Sequence, residues 1–396
     1  MTDLARTAPK PALTGQGMGG LKVAIVHYWI VSPGGGEAVV QAMLEMFPQA
    51  QLFTLIHTPA VSRKLFGETP VTPSFLQRIP FADRFHRKLL MLMPAALENL
   101  DLSGYDLIIS SESGPAKGIL PPLGAVHVCY CHSPMRYVWD HFVDYRRTAG
   151  WLSRMMMSAS IARLRVWDQV TAARVDHFAA NSNHIRARIR KYYRRDAEVI
   201  HPPVEVQEFS PSDSPGDFYL LAGRHVGYKR IDLAIAACEQ LGRKLIVTGT
   251  GPETDRLKRL GGPNVHFTGQ IGFAELKRYY AECRAFLMPG EEDFGIAPVE
   301  AMASGRPVIA LGRGGALDTV IPGLSGVLFA QPTVDHLVAA IEEYERTAQQ
   351  FDPQRIRAHA QQFSHDSFKA RFGAFVQRAL ERGGHLDSDV PVRMPQ

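Results

Sequence analysis

Residues 21–46 read LKVAIVHYWIVSPGGGEAVVQAMLEM. An apolar, β-rich run from Leu21 to Ile30 meets a glycine turn at Pro33 to Gly36, and apolar residues then recur at helical spacing from Glu37 to Met46. That is a strand, a loop and a helix. Further short apolar runs follow at Gln51 to Ile56, Asp106 to Ser110, Val126 to His132 and His177 to Ala180, separated by helical or polar segments, as a buried parallel sheet requires. A second series begins later. Phe218 to Ala222, Lys244 to Thr248, Val265 to Thr268, Ala285 to Met288, Pro307 to Ala310 and Gly326 to Phe329 alternate with helical segments such as Ile231 to Leu241 and Leu276 to Cys283. Between the two series lies a proline-rich linker, from His201-Pro202-Pro203 through Ser210 to Gly216. The pattern predicts an α/β chain of two Rossmann-like doubly wound domains facing a central cleft, with ligands at the carboxyl ends of the strands.

Composition agrees with an ordinary globular chain. Of 396 residues, 45% are hydrophobic and 21% charged, enough for two or three domains with their own cores and far from a disordered or fibrous composition. Four cysteines (Cys129, Cys131, Cys238 and Cys283) have no zinc-knuckle or redox spacing, so Cys129 and Cys131 read as small buried residues of a strand. No apolar run approaches 18 residues, and the first 20 lack a signal-peptide core, which predicts a cytoplasmic chain. The net charge of +5 is uninformative, but its distribution is not. Between Arg136 and Arg195, twelve Arg and one Lys stand against four Asp, a net +9 that points to an anionic surface, nucleic acid or lipid headgroups.

The densest chemical signal is Pro289-Gly290-Glu291-Glu292-Asp293-Phe294-Gly295-Ile296-Ala297-Pro298-Val299-Glu300. A strand ends near Met288, an acidic loop follows, and a helix is expected to start with Pro298 at its first position and Glu300 in its first turn. A capping box would need Ser or Thr where Ala297 stands. Glu292 and Glu300 suit hydroxyls, while the amides of Phe294, Gly295 and Ile296 at a helix N-terminus suit phosphate. A ligand offering both is a nucleotide sugar. The second signal, Gly223-Arg224-His225-Val226-Gly227-Tyr228-Lys229-Arg230-Ile231-Asp232, puts cations at a helix N-terminus, which the macrodipole disfavours unless an anion binds there. Arg224 is suited to clamp a diphosphate and Lys229 to add a point charge; a solvated loop is the alternative.

Two glycine turns are weaker. Gly34-Gly35-Gly36 lacks the GxGxxG spacing, so its use is close backbone approach to a phosphate or sugar, and Gly249 in Thr248-Gly249-Thr250-Gly251 suits an ordinary strand-to-helix turn as well as a ligand. His132 closes the run Val126 to His132 and projects from the carboxyl edge of the sheet. No HExxH, GxSxG or Walker A string occurs, and the DxD-like Asp387-Ser388-Asp389 falls in the tail, so no metal site or cofactor is expected.

With the Glu292/Glu300 pair and Gly-Arg-x-x-x-x-Lys-Arg-x-Asp in place, residues 21 to about 382 resemble the retaining glycosyltransferases of family four, which have the two-domain GT-B fold. The strings His27-Tyr28-Trp29, Ser110 to Gly118 and Cys129 to Tyr137 look like the GDP-mannose-dependent α-1,3-mannosyltransferases of acetan- and xanthan-type exopolysaccharide synthesis. The resemblance implies a disordered leader at 1–20, an N-terminal acceptor-binding domain at 21–205, a C-terminal nucleotide-sugar-binding domain at 206–364, a helix at 365–383 packing back on the first domain, and a tail at 384–396. It implies that Arg224 and Lys229 hold the donor diphosphate, Glu300 the ribose, and Glu292 the sugar hydroxyls, with amides from Phe294, Gly295 and Ile296. His132 then contacts the transferred sugar, Gly35 and Gly36 lie under the diphosphate, Gly249 also belongs to the donor site, and Gln270 and Ile271 surround the nucleobase. Leu317-Asp318 stands where many members have Pro-Glu, which puts Asp318 in doubt.

The implied partners are GDP-mannose, a polyprenyl-diphosphate-linked oligosaccharide of cellobiosyl type, and an anionic membrane surface on the inner face of the cytoplasmic membrane. Candidate lipid contacts are Arg146, Arg147, Arg154, Arg163 and Arg165, with Phe85, Leu89, Leu90 and Met91 beside Arg84, Arg87 and Lys88; a solvated helix face with core apolars explains the same residues. A transferase using a UDP-sugar, or a nucleotide-sugar epimerase, fits the same residues. A nucleic-acid-binding module would leave the acidic loop at Glu291 to Asp293 unexplained, so no nucleic acid is expected. The missing glycine fingerprint argues against a dinucleotide oxidoreductase.

Overall fold

The computed structural model describes residues 20–139, 151–212 and 216–384, without the side chains of 137 and 151–160. The chain divides into two compact units: one holds the residues up to Ala179, Tyr192–Ala197 and Lys369 onward, and the other holds Ala180–Lys191 and Glu198–Phe368.

The first seven strands are β1 (Val23–His27), β2 (Gln51–Thr54), β3 (Val71–Pro73), β4 (Leu107–Glu112), β5 (Val126–Cys131), β6 (His177–Ala180) and β7 (Ala197–Val199). They form a sheet of order β3-β2-β1-β4-β5-β6-β7, and the pairs from β3 to β5 are parallel. Every residue of β1, β4 and β5 is buried, because helices cover both faces of such a sheet and leave no solvent side for polar alternation. The second sheet contains β8 (Tyr219–Ala222), β9 (Leu245–Thr248), β10 (Val265–Gly269), β11 (Phe286–Met288), β12 (Val308–Leu311) and β13 (Gly326–Phe329), all parallel, in the order β10-β9-β8-β11-β12-β13. Strand order reverses between β1 and β4 and again between β8 and β11. Those are the places where open α/β sheets receive ligands.

Most strands lie where the apolar runs place them, within one to three residues. β3 and β7 carry no such signal. Each is a three-residue edge strand with no fully buried position, so burial imposes no run of Val, Ile and Leu. The C-terminal helix spans His365–Gly384; from Lys369 onward it groups with the first unit, where Phe372 packs edge-on against Tyr130 at 5.9 Å and Lys369 pairs with Glu45. All four cysteines are buried and free.

Fully buried His127 in β5 shows how tightly the first core is specified. Its Nδ1–H donates to the Arg174 carbonyl at 2.8 Å, and its Nε2 lies 2.9 Å from the Ser110 hydroxyl. Burial pushes its pKa down to about 4. The unfolded chain therefore binds this proton first, and stability present above the ordinary imidazole range is lost as pH falls from about 6.5 toward 4. The expected loss is on the order of 3 kcal/mol. Denaturant unfolding of wild type and His127→Gln across that window checks it: the variant should lose one proton's worth of pH dependence, and superimposable pH profiles would refute the assignment.

Candidate active site

At the carboxyl edge of the second sheet, four loops meet. They follow β8 (residues 223–230), β9 (249–251), β11 (289–295) and β12 (312–315), and glycine allows their backbones to touch. Gly249 has φ of +101°, and a Cβ there would lie 2.1 Å from the Gly223 carbonyl oxygen. A Cβ on Gly290 would lie 2.2 Å from the Tyr228 carbonyl. The Gly315 amide donates to the Glu292 carbonyl at 2.8 Å, locking the acidic loop against the one after β12.

Into this knot the chain places Lys229, Glu292 and Glu300. Lys229 Nζ donates to Glu292 Oε1 at 2.6 Å, and Gly223 leaves room for it, since a Cβ there would sit 2.9 Å from Nζ. Burial disfavours the ammonium, but the Glu292 carboxylate outweighs it and holds the Lys229 pKa above the ordinary value. Glu300 accepts the Tyr280 hydroxyl at 2.7 Å; burial raises its pKa, against the opposing pull of that hydroxyl and of Lys229. Arg224 is exposed, and no carboxylate pairs with it among the described residues. Gln270 and Ile271 sit on the loop after β10, at the same strand edge.

Two sequence expectations are corrected here. The helix after the acidic loop runs Ile296–Ala303, so Pro298 is its third residue and Glu300 lies in its second turn. Proline fits anywhere in the first turn, where amides lack intrahelical acceptors, so it marks the start only to within two residues. The cations at the helix N-terminus have carboxylates of their own: Lys229 has Glu292, and Arg230 has Asp232 at 3.2 Å. Arg230 adopts a left-handed φ of +50° as the cap of Ile231–Leu241, a strained conformation for a non-glycine residue. Asp318 serves structure, accepting from the Asn183 amide and side chain at 3.1 and 2.6 Å. The Phe294 ring is buried and stacks on His201 at 5.4 Å, so Phe294 and Gly295 contribute backbone to the loop.

At the carboxyl edge of the first sheet, His132 follows β5, and its amide donates to the Glu112 carbonyl at 2.7 Å. Burial and the nearby His27 ring push its pKa down to about 3, so the imidazole is neutral at physiological pH. Gly35 and Gly36 open the helix Gly35–Met46, and a Cβ on Gly36 would lie 3.0 Å from Tyr28 Oη and 3.8 Å from His132 Nε2. The glycine turn and His132 are therefore neighbours. Beneath them is a cluster that composition did not signal: Lys117, Glu112 and Asp168, all fully buried. Lys117 pairs with Asp168 and lies 3.5 Å from Glu112 Oε1, while Trp139 and Tyr193 donate to Asp168 at 2.7 and 3.0 Å. A lysine inside Ser113-Gly114-Pro115-Ala116-Lys117-Gly118-Ile119, five residues after Glu112 in a strand, was the available hint.

Residues 33–208 match the family described as Glycosyltransferase Family 4, and residues 205–362 match Glycosyl transferases group 1, so the two matches run without a gap from 33 to 362. Both halves of the chain are thus similar to family-four glycosyltransferases. Over 107 residues the chain is 36% identical to the GDP-mannose-dependent alpha-mannosyltransferase of Corynebacterium glutamicum, covering 27% of this chain and 26% of that protein's length. It is 24% identical over 381 residues to an alpha-1,3/1,6-mannosyltransferase of Neurospora crassa, covering 79% of this chain and 77% of that one. In fold it is similar to Anabaena HepE in complex with UDP, with a TM-score of 0.67 at 18% identity over 90% of this chain and 100% of the other. That likeness agrees with two parallel-sheet, Rossmann-like domains of GT-B type.

Proposed function

We propose that the chain is a retaining α-mannosyltransferase that moves mannose from GDP-mannose to a polyprenyl-diphosphate-linked oligosaccharide, of cellobiosyl type, in exopolysaccharide assembly. The observation that carries this reading is the Lys229–Glu292 contact with Glu300 beside it, at the switch point of the second sheet. One cation and two carboxylates in a glycine-built knot suit a ligand with both a diphosphate and free hydroxyls. Lys229 and exposed Arg224 take the diphosphate, Glu292 the sugar and Glu300 the ribose, with the amides of Phe294 to Ile296 and the turn at Gly249 completing the donor site. Gln270 and Ile271 face the base, and His132, Gly35 and Gly36 are assigned to the sugar and diphosphate by resemblance. The acceptor hydroxyl attacks the sugar carbon on the face the diphosphate leaves, so the chemistry asks for stabilisation of the departing negative charge, an electrostatic contribution that is often the largest in catalysis. The GDP-mannose and mannosyl preferences rest on the relatives' names.

A polyprenyl acceptor places the reaction at a membrane, and no described helix is long and apolar enough to cross one. The proposed seat is the segment 81–92, where Phe81, Met91 and Leu92 are exposed beside exposed Arg84, Arg87 and Lys88, with Arg163 also exposed. Phe85, Leu89 and Leu90 are half-buried, and Leu89 and Leu90 pack on the core. Arg165 is engaged elsewhere, donating to the Val138 carbonyl at 2.8 Å, so it is withdrawn from the lipid contacts. Arg146 and Arg147, like the side chain of Arg154 and the Asp387–Asp389 string, lie outside the described residues. Label from GDP-mannose should enter a polyprenyl-diphosphate cellobiose acceptor fastest in anionic vesicles, and the advantage should shrink as salt rises. Equal rates in neutral and anionic vesicles at every salt would refute the lipid contact.

A further inference from the structure

Glu300 is held from behind by a residue that the transfer reaction gives no role. It stands in the helix Ile296–Ala303, and Tyr280, on the helix Phe273–Glu282 that precedes β11, donates its hydroxyl to Glu300 Oε2 at 2.7 Å. Tyr280 is 1% exposed. Its ring is clamped by two others, Phe209 edge-on at 5.7 Å and Phe286 of β11 tilted at 5.8 Å, and its carbonyl accepts the buried Cys283 thiol at 3.4 Å. Burial and the neighbouring Glu300 carboxylate push the phenol pKa well above its ordinary value, so the hydroxyl keeps its proton and serves as a donor.

Between two phenylalanines a tyrosine packs no better than a third phenylalanine. What the hydroxyl adds is a fixed direction for the carboxylate. The terminal torsion of a glutamate is broad, so a carboxylate without that bond would have to be ordered by the ligand at the moment of binding, at a cost in affinity. A carboxylate also has two oxygens to place. Tyr280 engages Oε2, and among the described residues no side chain or backbone amide donates to Oε1. Glu300 is half-buried, and the charge it feels from the loop knot is that of Lys229.

We propose that Tyr280 is a positioning residue for nucleotide recognition: its hydroxyl pins Glu300 Oε2 and presents Oε1 as a preset acceptor for a ribose hydroxyl, so that selectivity for ribonucleotides over deoxyribonucleotides runs through a phenol buried in the core. This deepens the proposed function and rests on its assignment of Glu300 to the ribose.

Calorimetric titration of the full chain tests it, with GDP and UDP each compared with its 2′-deoxy and 3′-deoxy forms. Wild type should bind the better ribonucleotide on the order of tenfold more tightly than at least one of its deoxy forms, the size expected for a hydrogen bond to a charged group. In Tyr280→Phe the ribonucleotide should weaken to about the level of that deoxy form, whose own affinity stays unchanged, and the ratio should collapse toward one. Packing damage would instead weaken both forms together. A retained ratio in a folded Tyr280→Phe protein, whatever the absolute affinities, would overturn the inference alone. Tyr280→Met, which also lacks the hydroxyl and fills the space flexibly, decides the matter if Tyr280→Phe does not fold. A wild type that binds ribo and deoxy forms equally, or binds neither diphosphate, would overturn the ribose assignment of Glu300 and this inference with it. Selective binding of UDP with the ratio lost in Tyr280→Phe would support the inference and count against the GDP-mannose reading alone.

Discussion

Replacing Lys229 by alanine is expected to lower turnover by on the order of a hundredfold or more, with the fold retained. Lys229 is held by Glu292 at 2.6 Å in a loop knot where Gly223 leaves just enough space for its ammonium. Its charge is maintained against burial by that carboxylate. A cation already dehydrated and fixed in place needs little reorganisation when negative charge develops on a departing diphosphate, which is why such groups contribute several kcal/mol to catalysis. Arginine should not rescue it, because a planar guanidinium is larger than the space beside Gly223 allows. Steady-state rates with saturating donor, alongside thermal unfolding of each variant, test this. Turnover within a few-fold of wild type in a folded Lys229→Ala protein would remove Lys229 from the transfer site.

The largest stability effect is expected at Lys117. Lys117→Met keeps the length of the side chain and deletes its charge, leaving Glu112 and Asp168 as two buried carboxylates without a cation. Removing one partner of a buried ion pair costs about 3–5 kcal/mol, since the remaining charge must be neutralised or hydrated inside the core. One lysine serves two acids here. Burial and the Asp168 charge accordingly outweigh Lys117 and push the Glu112 carboxyl up to about 7. Following Lys117→Met with Glu112→Gln should return part of the loss, because the pair no longer forces two carboxylates together. Urea unfolding measures both. An unchanged midpoint in Lys117→Met would show that the cluster is hydrated and not the closed network described.

What was legible in the sequence was what burial or local spacing writes into it. Runs such as Val23 to Val26 and Ile108 to Ile109 announce central strands because both sheet faces are covered, whereas edge strands β3 and β7 stay silent. Glu292 and Glu300 could be read as a pair because eight positions and one loop separate them. The partners that hold the site together could not. Tyr280 reaches Glu300 from another helix, Ser111 meets His27 across 84 residues, and Lys117 meets Asp168 across 51, so only the folded sheet brings them into contact. The charge argument for Lys229 and Arg230 had the right location and an incomplete cause: Glu292 and Asp232 already balance those cations in the folded chain.

The most direct test of the account offers the protein four radiolabelled donors, GDP-mannose, UDP-glucose, UDP-galactose and UDP-N-acetylglucosamine, with bacterial lipid extracts containing polyprenyl-diphosphate oligosaccharides. The account predicts that label enters the lipid fraction from GDP-mannose alone. Transfer from a UDP-sugar and none from GDP-mannose would contradict it.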